Sequence, residues 1–300
     1  MTTNILESFC IIDDFSIQFD RVVAENAIEQ GGKKRRNRKS RLSDSEVMTI
    51  LILFHMSRYR DLKSFYLKYV QVHLKSEFPQ TVSYNRFVEL QTKVGLKLVM
   101  FLNMCCLGKC TGVSFIDSTP LRSCHIKRER THKTMKGWAQ KGRSTMGWFY
   151  GFKLHLVIND KGEIITYQIT PGNTDDRAPL KDDSFSKKLF GKLIADRGYI
   201  SKSLFDKLFI DDIHLITKLK KNMKNALMHI HDKILLRKRA IIETVNDLLK
   251  NVCQIEHTRH RSVNNFVVNL VSGLLAYNLM PKKPSLNLEI IDKEALAIVS

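Results

Sequence analysis

At Val113 the apolar pattern of this chain changes its period. Before that point apolar residues return every three to four positions, the spacing of helices. After it come five short apolar runs: VSFID (113–117), WFYGFKLHLVI (148–158), EIITYQIT (163–170), KLIAD (192–196) and IHLITKL (213–219). Their length and β-branched content predict strands. NDKG (159–162) predicts the turn between the second and third, because Asn, Asp and Gly accept tight-turn dihedrals. Residues 175–190, 201–208, 232–251 and 263–279 read as helices, and a tail starts at Pro281. The order is β-β-β-α-β-α-β-α. Three meandering strands and then alternating helix and strand predict an α/β fold, a mixed sheet flanked by helices.

That order is the ribonuclease H-like arrangement, in which the ends of the first and fourth strands lie side by side. Asp117 and Asp196 close those two strands and are therefore expected to meet. Glu243 follows on the long helix, where Ile234, Ile241, Val245, Leu248 and Val252 mark an apolar face. Arg239, Glu243 and Lys250 share the opposite side. Two strand aspartates and a helix glutamate supply hard oxygen ligands suited to paired Mg²⁺ ions and phosphoryl transfer. Each acid alone also fits an ordinary turn residue or a solvated helix face with an Arg–Glu pair.

The first ~110 residues read as helical throughout. Residues 5–29 mix Leu6, Phe9, Ile12 and Phe19 with acids. The block KKRRNRKSR (33–41), including Lys33, Lys34, Arg35 and Arg36, cannot pack and predicts an exposed arm. Such an arm suits phosphate contacts better than a localisation signal. Ser43 with Glu46 predicts a capping box at the head of a helix carrying Val47, Ile50, Leu51 and Phe54. A second helix is expected over 61–75, and a third from Ser83 to Leu107. QTVSYNRFVELQ (80–91) fits either a recognition helix or a plain bundle with Tyr84 and Phe87 inside.

The chain has 300 residues and a formal charge of +19, with 43% apolar content. A folded protein with clustered positive charge points to a polyanion, and to nucleic acid before membrane. Asp13, Asp14 and Asp20 interrupt the early apolar residues, so no signal peptide is expected. No apolar run is long enough for a transmembrane helix. The expected location is the cytoplasm of a prokaryote, associated with the nucleoid. Cys10, Cys105, Cys106, Cys110, Cys124 and Cys253 are expected as reduced thiols. Cys106, Cys110, Cys124 and His125 do not have the spacing of a zinc site, and buried thiols are the better reading.

The acidic residues and their neighbours resemble those of DDE transposases of bacterial insertion sequences. Asp117 lies in IDST, Asp196 in DRGY, and Glu243 in Arg239-x₃-Glu243-x₆-Lys250, like the family's three motifs in order. The stretch YGFKLHLVINDKGEIITYQITPGNTDDRAP (150–179) is similar to the family's second and third strands and the following loop. Length and the basic helical N-terminus suggest the insertion-sequence family 982 branch. Many relatives carry Tyr three residues before the Arg, where this chain has Leu236. The resemblance implies two Mg²⁺ ions, with Mn²⁺ able to substitute, held by Asp117, Asp196 and Glu243. It implies double-stranded DNA as substrate, namely terminal inverted repeats and target, and a homodimer in the DNA complex.

Three regions follow: a basic helical DNA-binding domain at 1–110, a catalytic domain at 111–280 and a tail at 281–300. Lys153 and His155 share one strand face. Lys153 is a candidate phosphate ligand and His155 a packed histidine. Residues 121–147 read as a long insertion whose cations, Arg143 among them, surround Trp138. That suits a DNA-end groove, or equally a mobile loop. Arg239 and Lys250 are candidate phosphate contacts, or supports for Glu243. The alternatives are a non-transposing Mg²⁺-dependent nuclease of this fold and a catalytically inactive DNA-binding relative.

Overall fold

A computed structural model describes residues 5–26, 40–218, 228–256 and 260–286. In chain order the first helices are α1 (Ile5–Glu25), α2 (Asp44–Met56), α3 (Leu62–Phe65), α4 (Gln71–His73), α5 (Tyr84–Lys93) and α6 (Gly95–Phe101). Strands β1 (Val113–Cys124), β2 (Gln140–Ser144), β3 (Gly147–Asn159) and β4 (Ile164–Pro171) follow, then α7 (Asp183–Ser186), β5 (Gly191–Ala195), α8 (Lys202–Ile210) and β6 (Ile213–Thr217). The last helices are α9 (Ile230–Lys238), α10 (Ala240–Asp247) and α11 (Val263–Asn278). The chain forms two compact units. Of the described residues, one comprises those up to Leu107, Arg122–Ala139 and those from Asp247 to Pro281; the other comprises Gly108–Leu121, those from Gln140 to Asn246, and 282–286.

The helical unit is organised by α2, which is apolar on all sides and so must be enclosed. Val47, Met48, Ile50, Leu51 and Ile52 are all buried, and most of α11 is buried with them. The expected capping box starts α2: Glu46 N–H donates to Ser43 Oγ, and Ser43 N–H to Glu46 Oε2. Lys97 is buried in this unit because Asp20 and Asp44 accept from its ammonium at 2.8 and 2.5 Å. The helix expected over 61–75 is α3 and α4 joined by a π turn, Tyr66–Val70. Ser83 caps α5, and Phe87 packs face to face with Tyr66 at 4.4 Å, while Tyr84 is half-buried.

The second unit is built on a six-stranded sheet in the order β2-β3-β1-β5-β6, with β4 also paired to β3. The β1–β5 and β5–β6 pairs are parallel, and the β2–β3 and β3–β4 pairs antiparallel. The mixed α/β sheet expected from the strand order is therefore present. The β3–β4 turn is the predicted NDKG, with Gly162 at φ +71° and Asn159 Oδ1 accepting from the N–H groups of Lys161 and Glu163. Ile116, Val157, Ile165, Leu180, Leu193 and Leu208 close the core between sheet and helices.

Four expectations are corrected. The first strand does not end at Asp117 but runs on to Cys124, so Ser118, Thr119 and Pro120 are strand rather than turn. The 121–147 insertion contains the end of β1 and an additional strand, β2. Residues 175–190 do not form one helix; Pro179 opens a 3₁₀ turn, and Asp182 caps the separate short helix α7. The Glu243 helix is α9 and α10 followed by a π turn, Leu248–Val252. The extra residue in that turn shifts the buried face by one position, so Leu249 and Cys253 are buried in place of Leu248 and Val252.

Candidate active site

Asp117 and Asp196 meet because two parallel strands bring them forward in step. The β1–β5 register pairs Phe115 with Ile194, and each aspartate stands two residues beyond its member of that pair. Two residues is one full pleat, so both carboxylates leave the same face of neighbouring strands. Strand β5 stops at Ala195, while β1 continues. The gap beside Asp117 therefore opens where its neighbour has ended, and Asp196 is exposed there.

Helix α10 and the residue before it lay three side chains against this edge. Asn246 donates from Nδ2 to Asp117 Oδ2 at 3.1 Å. Arg239 stands just before α10, with Nη1 3.8 Å from Asp117 Oδ1 and Nη2 2.8 Å from Glu243 Oε1. One guanidinium thus bridges the strand aspartate and the helix glutamate. The Arg239 and Asp117 side chains are 16% and 24% exposed, against 58% for Glu243. Glu243 can therefore swing into solvent, whereas Asp117 is held.

Burial pushes the Asp117 carboxyl up to about 6. Arg239 and the Ser118 N–H oppose that shift, while the charges of Glu243 and Asp196 add to it. Burial also raises the Tyr199 phenol well above its usual range, helped by the charges of Asp117 and Asp176. A desolvated carboxylate beside one arginine, with two further acids near it, suits a hard cation on its oxygens. The donor set of Asp117 and Asp196 fits such an ion, and Glu243 fits as a third ligand once it leaves Arg239. Among the described residues no three His, Cys, Asp or Glu side chains already converge on one point.

A second layer supports the strand face. Lys153 Nζ donates to Asp176 Oδ1 and to the Thr174 carbonyl, both at 2.8 Å, and Ser118 Oγ donates to Asp176 Oδ1 at 2.7 Å. Lys153, expected as a phosphate ligand, is thus already paired. His155 is packed as expected: it is fully buried, with Nε2 2.8 Å from Thr170 Oγ1, and burial lowers it to about 4.

Lys250 lies in the helical unit and pairs with Glu256 at 3.4 Å. Trp138 also lies in that unit and is exposed. The aromatic beside Arg143 is instead Trp148, its cross-strand partner in the β2–β3 hairpin. Arg143 and Lys141 sit 5.8 and 5.2 Å from the Trp148 ring centre. Lys33, Lys34, Arg35 and Arg36 lie outside the described residues. None of the six cysteines is in a disulfide; Cys253 is buried, Cys10 and Cys105 are exposed, and Cys106, Cys110 and Cys124 are half-buried rather than buried as expected. Leu236 is buried.

Sequence reasoning missed Asn246 and Asp176. Asn246 was within reach, since it lies three residues after Glu243 and seven after Arg239, on the same helical face. Asp176 gave no signal beyond its place in the loop after β4.

The family described as "Transposase DDE domain" matches residues 107–263. The chain belongs to this family. It is a DNA transposase by that membership, and all three acidic residues fall inside the matched segment. No curated protein sequence matches it. Among solved structures it is similar to a piggyBac transposase synaptic complex with hairpin DNA, at 11% identity and TM-score 0.48, over 92% of this chain and 74% of that one. It is also similar to the Mos1 strand transfer complex, at 13% identity and TM-score 0.25, over 82% of this chain and 86% of that one. No helix among the described residues of this transposase is long and apolar enough to cross a membrane.

Proposed function

We propose that this transposase cleaves the ends of an insertion sequence and joins them to target DNA, with Asp117, Asp196 and Glu243 as its catalytic carboxylates. The observation that carries the reading is the parallel β1–β5 register, which sets two aspartates of a DDE domain on one face at the end of β5. Asp117, Asp196 and Glu243 would hold the metal ions through their carboxylate oxygens. Mg²⁺ is the ion expected, with Mn²⁺ as a substitute, because the donors are all hard oxygens. Bound as a pair, such ions supply an activated attacking oxygen and a stabilised leaving oxygen.

The chain's own residues orient and neutralise. Asn246 fixes the rotation of Asp117, and Arg239 holds the negative charge of Asp117 and Glu243 together until DNA and metal arrive. In the first reaction water adds to phosphorus, and the bond to the 3′ oxygen breaks, leaving a 3′-hydroxyl on the element. In the second, that hydroxyl adds to a target phosphodiester and displaces its 3′ oxygen. Lys141, Arg143 and Trp148 offer the hairpin contact to DNA, two cations and a stacking surface. The basic block at 33–41, Trp138 and Lys250 are further candidate contacts, and the first ~110 residues the DNA-binding region. A homodimer would bring two ends together; the basic helical N-terminus supports the bacterial family 982 branch, and the net charge of +19 a nucleoid location.

The test uses the full chain and an end-labelled duplex carrying the DNA that flanks the gene. Mg²⁺ should yield a new 3′-hydroxyl end, EDTA should suppress it, and a target plasmid should acquire the labelled strand. Cleavage that persists in EDTA would contradict the assignment, and cleavage without joining would leave a nuclease.

A further inference from the structure

Within the helical unit, a cleft of about 820 Å³ opens among the turn before α3, the first half of α5 and the start of α11. Arg60, Lys63 and Arg261 line it, and all three are exposed. The acid among them, Asp61, is already engaged, accepting from the Ser64 N–H at 2.8 Å as the cap of α3. Helices α5 and α11 both begin here, capped by Ser83 and Ser262. Their positive ends add to the field of the three cations. Tyr84 contributes an aromatic wall, held from behind by Tyr66 at 6.2 Å.

The interior of the cleft is made of amides. Gln91 and Asn269 line it, although only 3% and 4% of their surfaces are exposed. The Asn269 Nδ2 group is buried and makes no hydrogen bond within the protein. That donor is open to an acceptor entering the cleft. Cations at the mouth, an aromatic wall and buried amide donors are respectively suited to a phosphate, a base face and a base edge.

We propose that this cleft receives one nucleotide drawn out of the DNA helix, with its phosphate on Arg60, Lys63 and Arg261 and its base edge on Gln91 and Asn269. The proposal rests on the transposase reading only for the identity of the polyanion. The bases of an intact duplex are recessed in grooves and are met by protruding elements. Amides lining a concavity are reached only by a base that has left the stack. The site lies within the helical unit.

The experiment compares two fluorescent duplexes that differ by one unpaired nucleotide at the centre, bound by the full chain in EDTA. The wild-type protein should prefer the bulged probe by about tenfold. Asn269→Leu should bring that preference below about twofold with affinity for the paired duplex unchanged. The exposed double variant Arg60→Ala/Arg261→Ala should also lose the preference, and it keeps the test valid if Asn269→Leu does not fold. No preference in the wild type, or full preference in the double variant, overturns the proposal. Metal-dependent cleavage of the paired duplex is followed in parallel. Its presence without any bulge preference sinks the cleft alone, whereas failure to bind either duplex sinks the DNA reading itself.

Discussion

Asn246 reaches from helix α10 to donate a 3.1 Å hydrogen bond to Asp117 on strand β1. The bond joins the two parts of the candidate site that sequence holds furthest apart. It fixes one carboxylate oxygen and leaves the other toward Arg239. Asn246→Leu keeps the approximate volume and removes the donor. Cleavage should fall about 10–100-fold, the range for losing a group that orients a ligand. Duplex affinity in EDTA should stay within about twofold. A gel-based cleavage rate beside a binding titration separates the two, and equal losses in both would mean a folding defect instead.

Arg239 lowers the Asp117 carboxyl against the burial that raises it. Without the guanidinium, Asp117 should hold its proton to higher pH. The acidic limb of the cleavage pH profile should therefore move upward in Arg239→Leu and much less in Arg239→Lys. An unmoved limb in both variants would show that Asp117 does not govern it.

Asp117 should cost stability at neutral pH. Its folded pKa, about 6, lies above the ordinary value of 3.8. The favourable contribution is therefore complete below the ordinary value and lost as pH rises through about 6. Asp117→Asn removes the buried charge and can still accept from Asn246. At pH 7.5 its Tm should exceed that of the wild type by a few degrees, for a gain on the order of 2 kcal/mol, while cleavage disappears. Calorimetry showing a lower Tm would mean that the attraction to Arg239 outweighs desolvation.

How far the sequence reached is clearest at this site. The alternation of short apolar runs placed five strands, and NDKG placed a turn. Strand β2 escaped because QKGRS has no apolar residue; its buried position is Gly142, where a Cβ would come within 2.0 Å of the Gly172 carbonyl oxygen. The burial of Leu249 and Cys253 escaped because a π turn adds a residue that uniform helical spacing does not contain. The charges at 141 and 143 were visible, but the neighbouring aromatic was assigned to position 138 because hairpin register is a tertiary fact. Pairing of Lys153 with Asp176 likewise depends on how the loop after β4 folds back.

Three histidines make the protein acid-sensitive. Burial lowers His55, His155 and His260 from the ordinary 6.5 to about 4. Between these values the unfolded chain binds protons that the folded chain refuses. Stability is therefore complete above about 6.5 and lost as pH falls toward 4. Asp117 works in the opposite direction, but as one group against three. Melting curves from pH 7.5 to pH 5 should record a falling Tm, and His155→Gln should make the fall shallower. A Tm that is flat over this range would contradict the buried neutral imidazoles.

Asp117 is proposed as a catalytic carboxylate of this DNA transposase. The most direct measurement is the Mg²⁺-dependent cleavage rate of an end-containing duplex by Asp117→Ala, set beside its affinity for the same duplex in EDTA. The rate should fall at least ~1,000-fold below wild type, the scale for losing a metal-supplied oxygen nucleophile, with binding unchanged. Cleavage at the wild-type rate would contradict it.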